Sequence, residues 1–511
     1  MFTARTQTSS SKIYRYLGIR PFTIAVCAFL EQFPCYARQP GNRDDPVTFN
    51  DDLRPSVDLS HAELLLLFLA ALTVRIAYII WLSSDPTLFL AEDSSYFVQL
   101  AENLAATGHF VAGEFGAFYS ETERVPGYIL FVALVRAVFG TSPITLAVIQ
   151  SFIDSGTVVL IALIIRPAGR TVMILSGTLA AIWPNLVIHS ALVLTDTLFV
   201  FFLTATLLYC IRYLNRPSAT LAIAIGLLLG CTIMTRAIVQ FLPPIFVTVI
   251  VVAAWRYGFG LRKTLLCGIV FAVATALPTT PILYRNISQY SVFALTAQGG
   301  NHLMNWVVPL VRVYSEGMAF GTASAEIRAR FENEPQTTQA VDLNAFEEDK
   351  RRADFAIQQL SSQPIGPVIG AWVRGMVINL AAPAVAIEPR MRRQRQDSFL
   401  EARGGLPART LAWLGTSPQL WLTVMLFGIV GSAVTLLLQI WGYFRLTSFA
   451  PWPAAFCAGL ILYFLLIMGP VAAPKYRLPL EPVMVVLAAL AIADLSMRFR
   501  DRRARKLKGA P

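Results

Sequence analysis

Of the 511 residues, 55% are hydrophobic and only 14% are charged, against roughly 25% charged in an ordinary globular chain. The charge gathers at the termini and in one internal region, which excludes a soluble enzyme, a disordered chain and a nucleic-acid-binding protein. The excess of 42 Lys+Arg over 31 Asp+Glu, a net +11, then reads as membrane topology, because basic residues collect on the cytoplasmic side of membrane proteins.

In chain order, residues 1–60 hold Lys12, Arg15 and Arg20 and then a short apolar run, Phe22 to Leu30. That run resembles a signal peptide, but Glu31 interrupts it and no small-x-small site follows. The segment is read as a cytoplasmic N-terminal tail. Stretches long enough to span, about 20 apolar residues, follow at 62–82, 143–165, 171–189, 193–211, 217–235, 237–255, 264–284, 418–440, 449–470 and 479–497. The expected fold is therefore an all-α polytopic membrane protein of about ten transmembrane helices. It divides into a transmembrane catalytic module at 61–284, an external segment at 285–417, C-terminal transmembrane helices at 418–497 and a basic cytoplasmic tail at 498–511.

Charge supports this count. With Arg498, Arg500, Arg502, Arg503, Arg505, Lys506 and Lys508 in the cytoplasm, ten spans also place Arg166/Arg170, Arg212/Arg216, Arg256/Arg262/Lys263 and Arg445 there. Segment 126–140 would reach only about 22 Å as a helix, against a hydrocarbon core of about 30 Å. It is laid flat within a first external loop, 83–142. Residues 366–388 are apolar, and Arg390, Arg392, Arg393 and Arg395 follow. Making them a span would suit those arginines but would send the C-terminal tail outside, and Arg374, Asn379 and Pro383 oppose a lipid-facing helix. They are kept external, as a surface-lying helix.

Of the six cysteines, Cys27 and Cys35 lie in the N-terminal tail and Cys210, Cys231, Cys267 and Cys457 in apolar runs. They support neither a disulfide framework nor a thiolate metal site. Polar groups gather instead at the external face. After Asp93, apolar residues at 97, 100, 101 and 104 share one helical face opposite Gln99, Glu102 and Asn103, and Gly108 is placed to end the helix. Asp93 is either the N-cap of that helix or a working carboxylate. Asp196, at the start of a later span, invites the same two readings. Three of the four histidines, His109, His189 and His302, map to this side. So do Arg124, Arg236, Arg285, Lys475 and Arg477, where topology does not call for positive charge. They either snorkel to the interface or form a cationic pocket for phosphate.

The segments AEDSSYFVQLAENLAATGHF, ERVPGYILFVALVRAVFG, IWPNLVIHSALVLTDTLF, RNISQYSVFALTAQGGNHL and KYRLPLEP resemble, in order and spacing, the GT-C superfamily of membrane glycosyltransferases. The nearest branch is glycosyltransferase family 39, with the protein O-mannosyltransferases and the lipid A aminoarabinose transferases. The resemblance runs from about residue 60 to 497. It implies a sugar donor on a polyprenyl phosphate, two flat helices in the first external loop, a catalytic Asp matched by Asp93, and a second sugar-pocket carboxylate matched by Asp196. In the aminoarabinose transferases a Glu and a later His hold zinc, and the basic residue after the Glu contacts lipid phosphate; Glu123, His302 and Arg124 fall at these places. The metal site is not general to the superfamily, so His302 is a zinc ligand or a plain loop residue. Two departures stand out: Ser94 follows Asp93 where many relatives have Glu, and Ile129 replaces the last Pro of a PGYP pattern.

The expected reaction is glycosyl transfer at the external membrane face, in a bacterial inner membrane, to a lipid, glycan or protein acceptor. Asp93 acts as general base on the acceptor hydroxyl, and Arg124, Arg236, Lys475 and Arg477 hold the departing phosphate, with a divalent metal such as zinc as a possible addition. A single displacement would invert the anomeric carbon. The competing reading is a membrane transporter or lipid flippase. Transporters place polar sites near the midplane between repeats; no repeat is visible here, and the mid-membrane charges Arg75 and Asp154 match in depth as a structural pair.

Overall fold

The computed structural model describes residues 59–334, 343–394 and 399–508. Among the described residues the regular structure is helical apart from one short hairpin, in which Val111 pairs with Ser120 and Ala112 with Tyr119. In chain order the longer helices are α1 His61–Leu82, α2 Ser94–Thr107, α3 Gly127–Phe139, α4 Pro143–Ile164, α5 Arg170–Ala181, α6 Pro184–Ala191, α7 Asp196–Asn215, α8 Ala219–Thr235, α9 Pro243–Arg256 and α10 Leu261–Tyr290. Then come α11 Val308–Glu316, α12 Phe320–Glu332, α13 Ala345–Ser361, α14 Ile365–Ala381, α15 Leu406–Thr416, α16 Gln419–Phe449, α17 Pro451–Met468 and α18 Glu481–Lys508.

Each of the ten expected spans is helical, with three differences. Among the described residues, seven helices are individually long and apolar enough to cross a membrane. The stretch 171–189 is not one rod: α5 and α6 meet at 47°, because Pro184 starts a new helix and Trp183 before it is extended (φ −67°, ψ 115°). The stretches 217–235 and 237–255 become helices of 17 and 14 residues, the second starting at Pro243–Pro244, so each is short for a full crossing. A further bent pair, α13 and α14, turns by 112° and takes in residues 366–381 of the ambiguous segment 366–388, the rest of which holds a 3₁₀ turn at Ala384–Ile387.

Close helix packing explains the glycines. On α8, a Cβ at Gly226 would come within 2.5 Å of the Phe271 carbonyl, and one at Gly230 within 2.7 Å of Thr275. This is the small-xxx-small arrangement by which membrane helices approach. Outward, α16 presents Leu420, Phe427, Leu437 and Phe444, all exposed, as a lipid-facing helix must. The mid-bundle charges pair with each other. Arg75 donates through Nε to Asp154 at 2.6 Å and through Nη1 to the carbonyls of Ala71 and Ala181 at 3.0 and 2.9 Å. Both side chains are buried, and the Ala181 carbonyl it reaches lies at the α5–α6 break.

The start of the first loop is strapped down by residues 384–394. Arg390 donates to the Trp81 carbonyl at 2.6 Å and lies 4.5 Å over the Trp81 ring. Arg392 donates to the Leu90 carbonyl at 2.9 Å, and Arg393 pairs with Asp85 and Thr87. Arg390, Arg392 and Arg393 therefore lie on the same side of the bundle as the lead-in to Asp93, while Arg395 lies outside the described residues.

Candidate functional site

Asp93 occupies the N-cap position of α2 but makes no capping bond. Its backbone is already helical (φ −88°, ψ −6°), whereas a capping side chain reaches the first-turn amides from an extended residue. The freed carboxylate faces the Arg124 guanidinium at 3.6 Å and is 44% exposed. Downstream, α2 follows its expected face: Phe97, Leu100 and Ala101 are buried, and Gly108 ends it in the left-handed region at φ 70°. Asn103, expected on the polar face, is also buried. Its amide donates to the carbonyls of Val111 and Gly113 at 3.2 and 3.0 Å and so ties the helix to the hairpin.

Arg124 is held from several sides. Its backbone N–H donates at 2.8 Å to Glu121 Oε1, which also accepts from the Glu123 N–H at 2.6 Å. The other Glu121 oxygen accepts from the Tyr96 hydroxyl. The Arg124 guanidinium lies 6.0 Å over the Tyr96 ring. Gln298, with its amide oriented to satisfy both ends, accepts from Arg124 and donates to the Glu123 carbonyl at 3.3 Å. Burial, reinforced by Glu121, pushes the Tyr96 phenol well up, so it stays protonated and donates. Glu121 and Tyr96 were invisible as site residues in sequence. Tyr96 stands three residues after Asp93 and shares its helix face, but nothing in the run ETER marks its first Glu as buried.

The second carboxylate, Asp196, sits in the first turn of α7 and pairs with Arg236 from the C-terminal end of α8. Arg236 also lies 5.5 Å over the Phe199 ring. Two local devices bring this pair to the Asp93 edge. The Ser94 hydroxyl, fully buried, accepts from the Ala91 N–H at 2.7 Å and donates to the Val193 carbonyl at 2.8 Å. Ser94 is thus a tether between the two carboxylate segments. Gly127, at the start of α3, packs so closely on the end of α8 that a Cβ there would lie 2.4 Å from the Met234 carbonyl. Ile129, the other departure, is buried in the adjoining core with Tyr128.

Lys475 and Arg477 share the 3₁₀ turn Pro474–Leu480 but have different surroundings. Arg477 is buried. Its Nε donates to Glu481 at 2.8 Å, and Nη1 donates to the carbonyls of Leu380 and Ala382 at 2.8 and 3.0 Å. It caps the C-terminal end of α14, where cations are favoured. Glu481 also accepts from Trp183 at 2.6 Å and Asn185 at 2.7 Å. The Asn185 amide also donates to the Pro474 carbonyl at 3.0 Å, which fixes the residue before Lys475. Lys475 is half-buried, with its ammonium 5.4 Å over the Tyr476 ring. Of the four expected phosphate ligands, Arg124, Arg236 and Lys475 keep capacity for an anion. Arg477 has its Nε and Nη1 already committed to Glu481 and to two backbone carbonyls.

The expected metal ligands, Glu123 and His302, lie in different electrostatic surroundings. Glu123 is half-buried, and burial holds its carboxyl above the ordinary 4.5, against the pull of Arg124. Burial pushes the His302 imidazole down. Asp349 of α13 approaches this region, accepting from the Asn301 N–H at 2.9 Å. No group of three or more His, Cys, Asp or Glu side chains able to hold a metal forms among the described residues. Two donors without a third do not fit a zinc site.

Comparison with known proteins agrees with the motifs. The family described as dolichyl-phosphate-mannose-protein mannosyltransferase matches residues 123–282, a span that includes Arg124, Asp196 and Arg236 and is about a third of the chain. No curated protein matches. Solved structures that overlap include ArnT from Cupriavidus metallidurans, apo and bound to undecaprenyl phosphate. Each is 15% identical over 84% of this chain and 77% of theirs, with TM-scores of 0.37 and 0.38. An oligosaccharyltransferase from Archaeoglobus fulgidus, tethered to an acceptor peptide, is 12% identical over 87% of this chain and 51% of its own, at 0.48. The chain is a predominantly helical integral membrane protein that resembles the GT-C superfamily of membrane glycosyltransferases.

Proposed function

We propose that the chain transfers a sugar from a polyprenyl-phosphate donor to a hydroxyl acceptor at the external face of a bacterial inner membrane. The acceptor class is a lipid, glycan or protein. The observation that carries this reading is the free Asp93 carboxylate facing Arg124 at 3.6 Å, a base beside a phosphate-binding cation. Asp93 takes the acceptor proton as its oxygen attacks the anomeric carbon. The bond to the phosphate oxygen breaks, the polyprenyl phosphate leaves with the electron pair, and the configuration inverts. Arg124, Arg236 and Lys475 meet the growing negative charge. Asp196, already paired with Arg236, orients that cation and supplies an acceptor for sugar hydroxyls.

The buried Arg75–Asp154 pair counts against a transporter or flippase. Its bonds to each other and to two carbonyls tie α1, α4 and α5 together, the role of a structural pair. The test is transfer from polyprenyl-phosphate sugars by purified protein and by Asp93→Asn. The reading expects turnover by the wild type and none by the variant, with undecaprenyl phosphate still bound by both. Wild-type protein that neither binds undecaprenyl phosphate nor transfers from any such donor would remove it.

A further inference from the structure

Asp93 and Arg124 come from different elements: Asp93 from the start of α2, Arg124 from the loop between the hairpin and α3. Their 3.6 Å separation is not fixed by either element alone. Glu121 joins them. Its side chain is 1% exposed, and both oxygens are occupied by donors from the two sides. Oε1 takes the amides of Glu123 and Arg124 at 2.6 and 2.8 Å. Oε2 takes the hydroxyl of Tyr96, which stands one turn below Asp93 on α2. The Glu121 N–H donates to the Phe110 carbonyl at 3.2 Å and anchors the residue to the base of the hairpin. The carboxylate is a buried pin with α2 on one oxygen and the Arg124 backbone on the other.

We propose that Glu121 is a positioning residue that sets the Asp93–Arg124 spacing, and through Arg124 the grip on the donor phosphate. This rests on the reading of the site as a polyprenyl-phosphate glycosyltransferase. Glu121 does not reach substrate, because it is covered and its oxygens are occupied. It takes no part in proton transfer, so its charge is dispensable while its acceptors are not. A glutamine keeps the pattern: its oxygen accepts both amides, and its NH2 donates to a Tyr96 hydroxyl turned to accept. A leucine keeps the bulk and loses every bond.

The experiment measures undecaprenyl phosphate binding to full-length protein in detergent, with thermal melting alongside. Glu121→Gln should bind within about threefold of wild type. Glu121→Leu should bind about tenfold or more weakly, a loss of about 1.4 kcal/mol. Tyr96→Phe, the mildest change and the safeguard if Glu121→Leu fails to fold, should weaken binding several-fold without lowering the melting temperature. In an Arg124→Ala background, Glu121→Leu and Tyr96→Phe should have no further effect on binding, the non-additivity expected of residues that act through one group. Glu121→Gln as damaging as Glu121→Leu would overturn the positioning role in favour of a charge or proton-transfer role. Full additivity with Arg124→Ala would also overturn it. If wild type and all variants bind alike, this inference fails while the glycosyltransferase reading stands. If wild type does not bind, both fall.

Discussion

Asp93 stands where a helix cap belongs and caps nothing; its carboxylate turns instead to Arg124, 3.6 Å away. Because the pair is partly exposed on both sides, it contributes little to stability, about 0–1 kcal/mol. Asp93→Asn should therefore melt close to wild type. Transfer should fall by at least about 100-fold, the usual scale for losing a general base. A melting curve and a donor-turnover assay on one preparation check both halves; a well-folded Asp93→Asn enzyme with near-normal turnover would return Asp93 to a structural role.

Lys475 and Arg477 should separate cleanly, although two residues apart. Arg477→Ala leaves the Glu481 carboxylate buried with its charge partner gone, and two carbonyls lose their donor. Breaking such a pair from one side costs about 3–5 kcal/mol, so the variant should melt far below wild type. Lys475→Ala should melt normally and lose about 1.5–3 kcal/mol of donor binding, the range for a hydrogen bond to a charged group. Thermal melts and undecaprenyl phosphate titrations distinguish them; a stable Arg477→Ala protein with weakened donor binding would restore Arg477 to the phosphate site.

The difference between those two residues marks where sequence reading stops. The spans were legible because apolar runs of the right length have one stable form in lipid, and the Arg75–Asp154 pair was legible from matched depth. The role of Arg477 was not, because its partners Leu380 and Ala382 lie about a hundred residues earlier in a helix whose end no local pattern announces. Arg390, Arg392 and Arg393 pulled toward a cytoplasmic placement by charge statistics alone. In the fold they bind Trp81, Leu90 and Asp85, partners some three hundred residues away. Asp93 was legible as a candidate, whereas Glu121 was hidden by its burial, which is a property of the fold.

The buried Arg75–Asp154 pair gives a prediction that separates structure from transport. Asp154→Ala strands a charged guanidinium and should destabilise by about 3–5 kcal/mol. Replacing both, as Arg75→Met with Asp154→Leu, removes the charges together and should recover most of that loss. Transfer per folded molecule should be unchanged in the double variant. Detergent melts and turnover normalised to folded protein make the check; a stable double variant that has lost all activity would give the pair a functional role.

Glu123 should show the opposite sign to an ordinary ion-paired carboxylate. Burial raises its folded value above 4.5, so the folded state binds the proton more tightly than the unfolded chain. The proton-linked stability is full below the ordinary value and is lost as pH rises through the raised one. Glu123→Gln, a permanent mimic of the neutral acid, should therefore gain melting temperature relative to wild type as pH rises from 4 toward 7. A gap that narrows over that range would mean Glu123 is stabilised as a carboxylate.

The strap on the first loop supplies the acid counterpart. Asp85 is held at about 2, from an ordinary 3.8, chiefly by the Thr87 hydroxyl and then by Arg393. Its folded value is depressed, so its contribution is fully present above the unfolded 3.8 and is lost as pH falls toward 2. The residue faces solvent, so the effect is small and screened by salt. Asp85→Asn removes the charge at every pH. The melting difference between wild type and Asp85→Asn should thus be steady from pH 7 to about 5, shrink between about 4 and 2, and diminish further at high ionic strength. Arg393→Gln should lower the plateau without abolishing it, because the Thr87 bonds to Asp85 at 2.9 and 2.6 Å remain. If the difference widens in acid, or if Arg393→Gln leaves the profile untouched, residues 384–394 are not held to the loop through Asp85. The clamp on the approach to Asp93 would then rest on Arg390 and Arg392 alone.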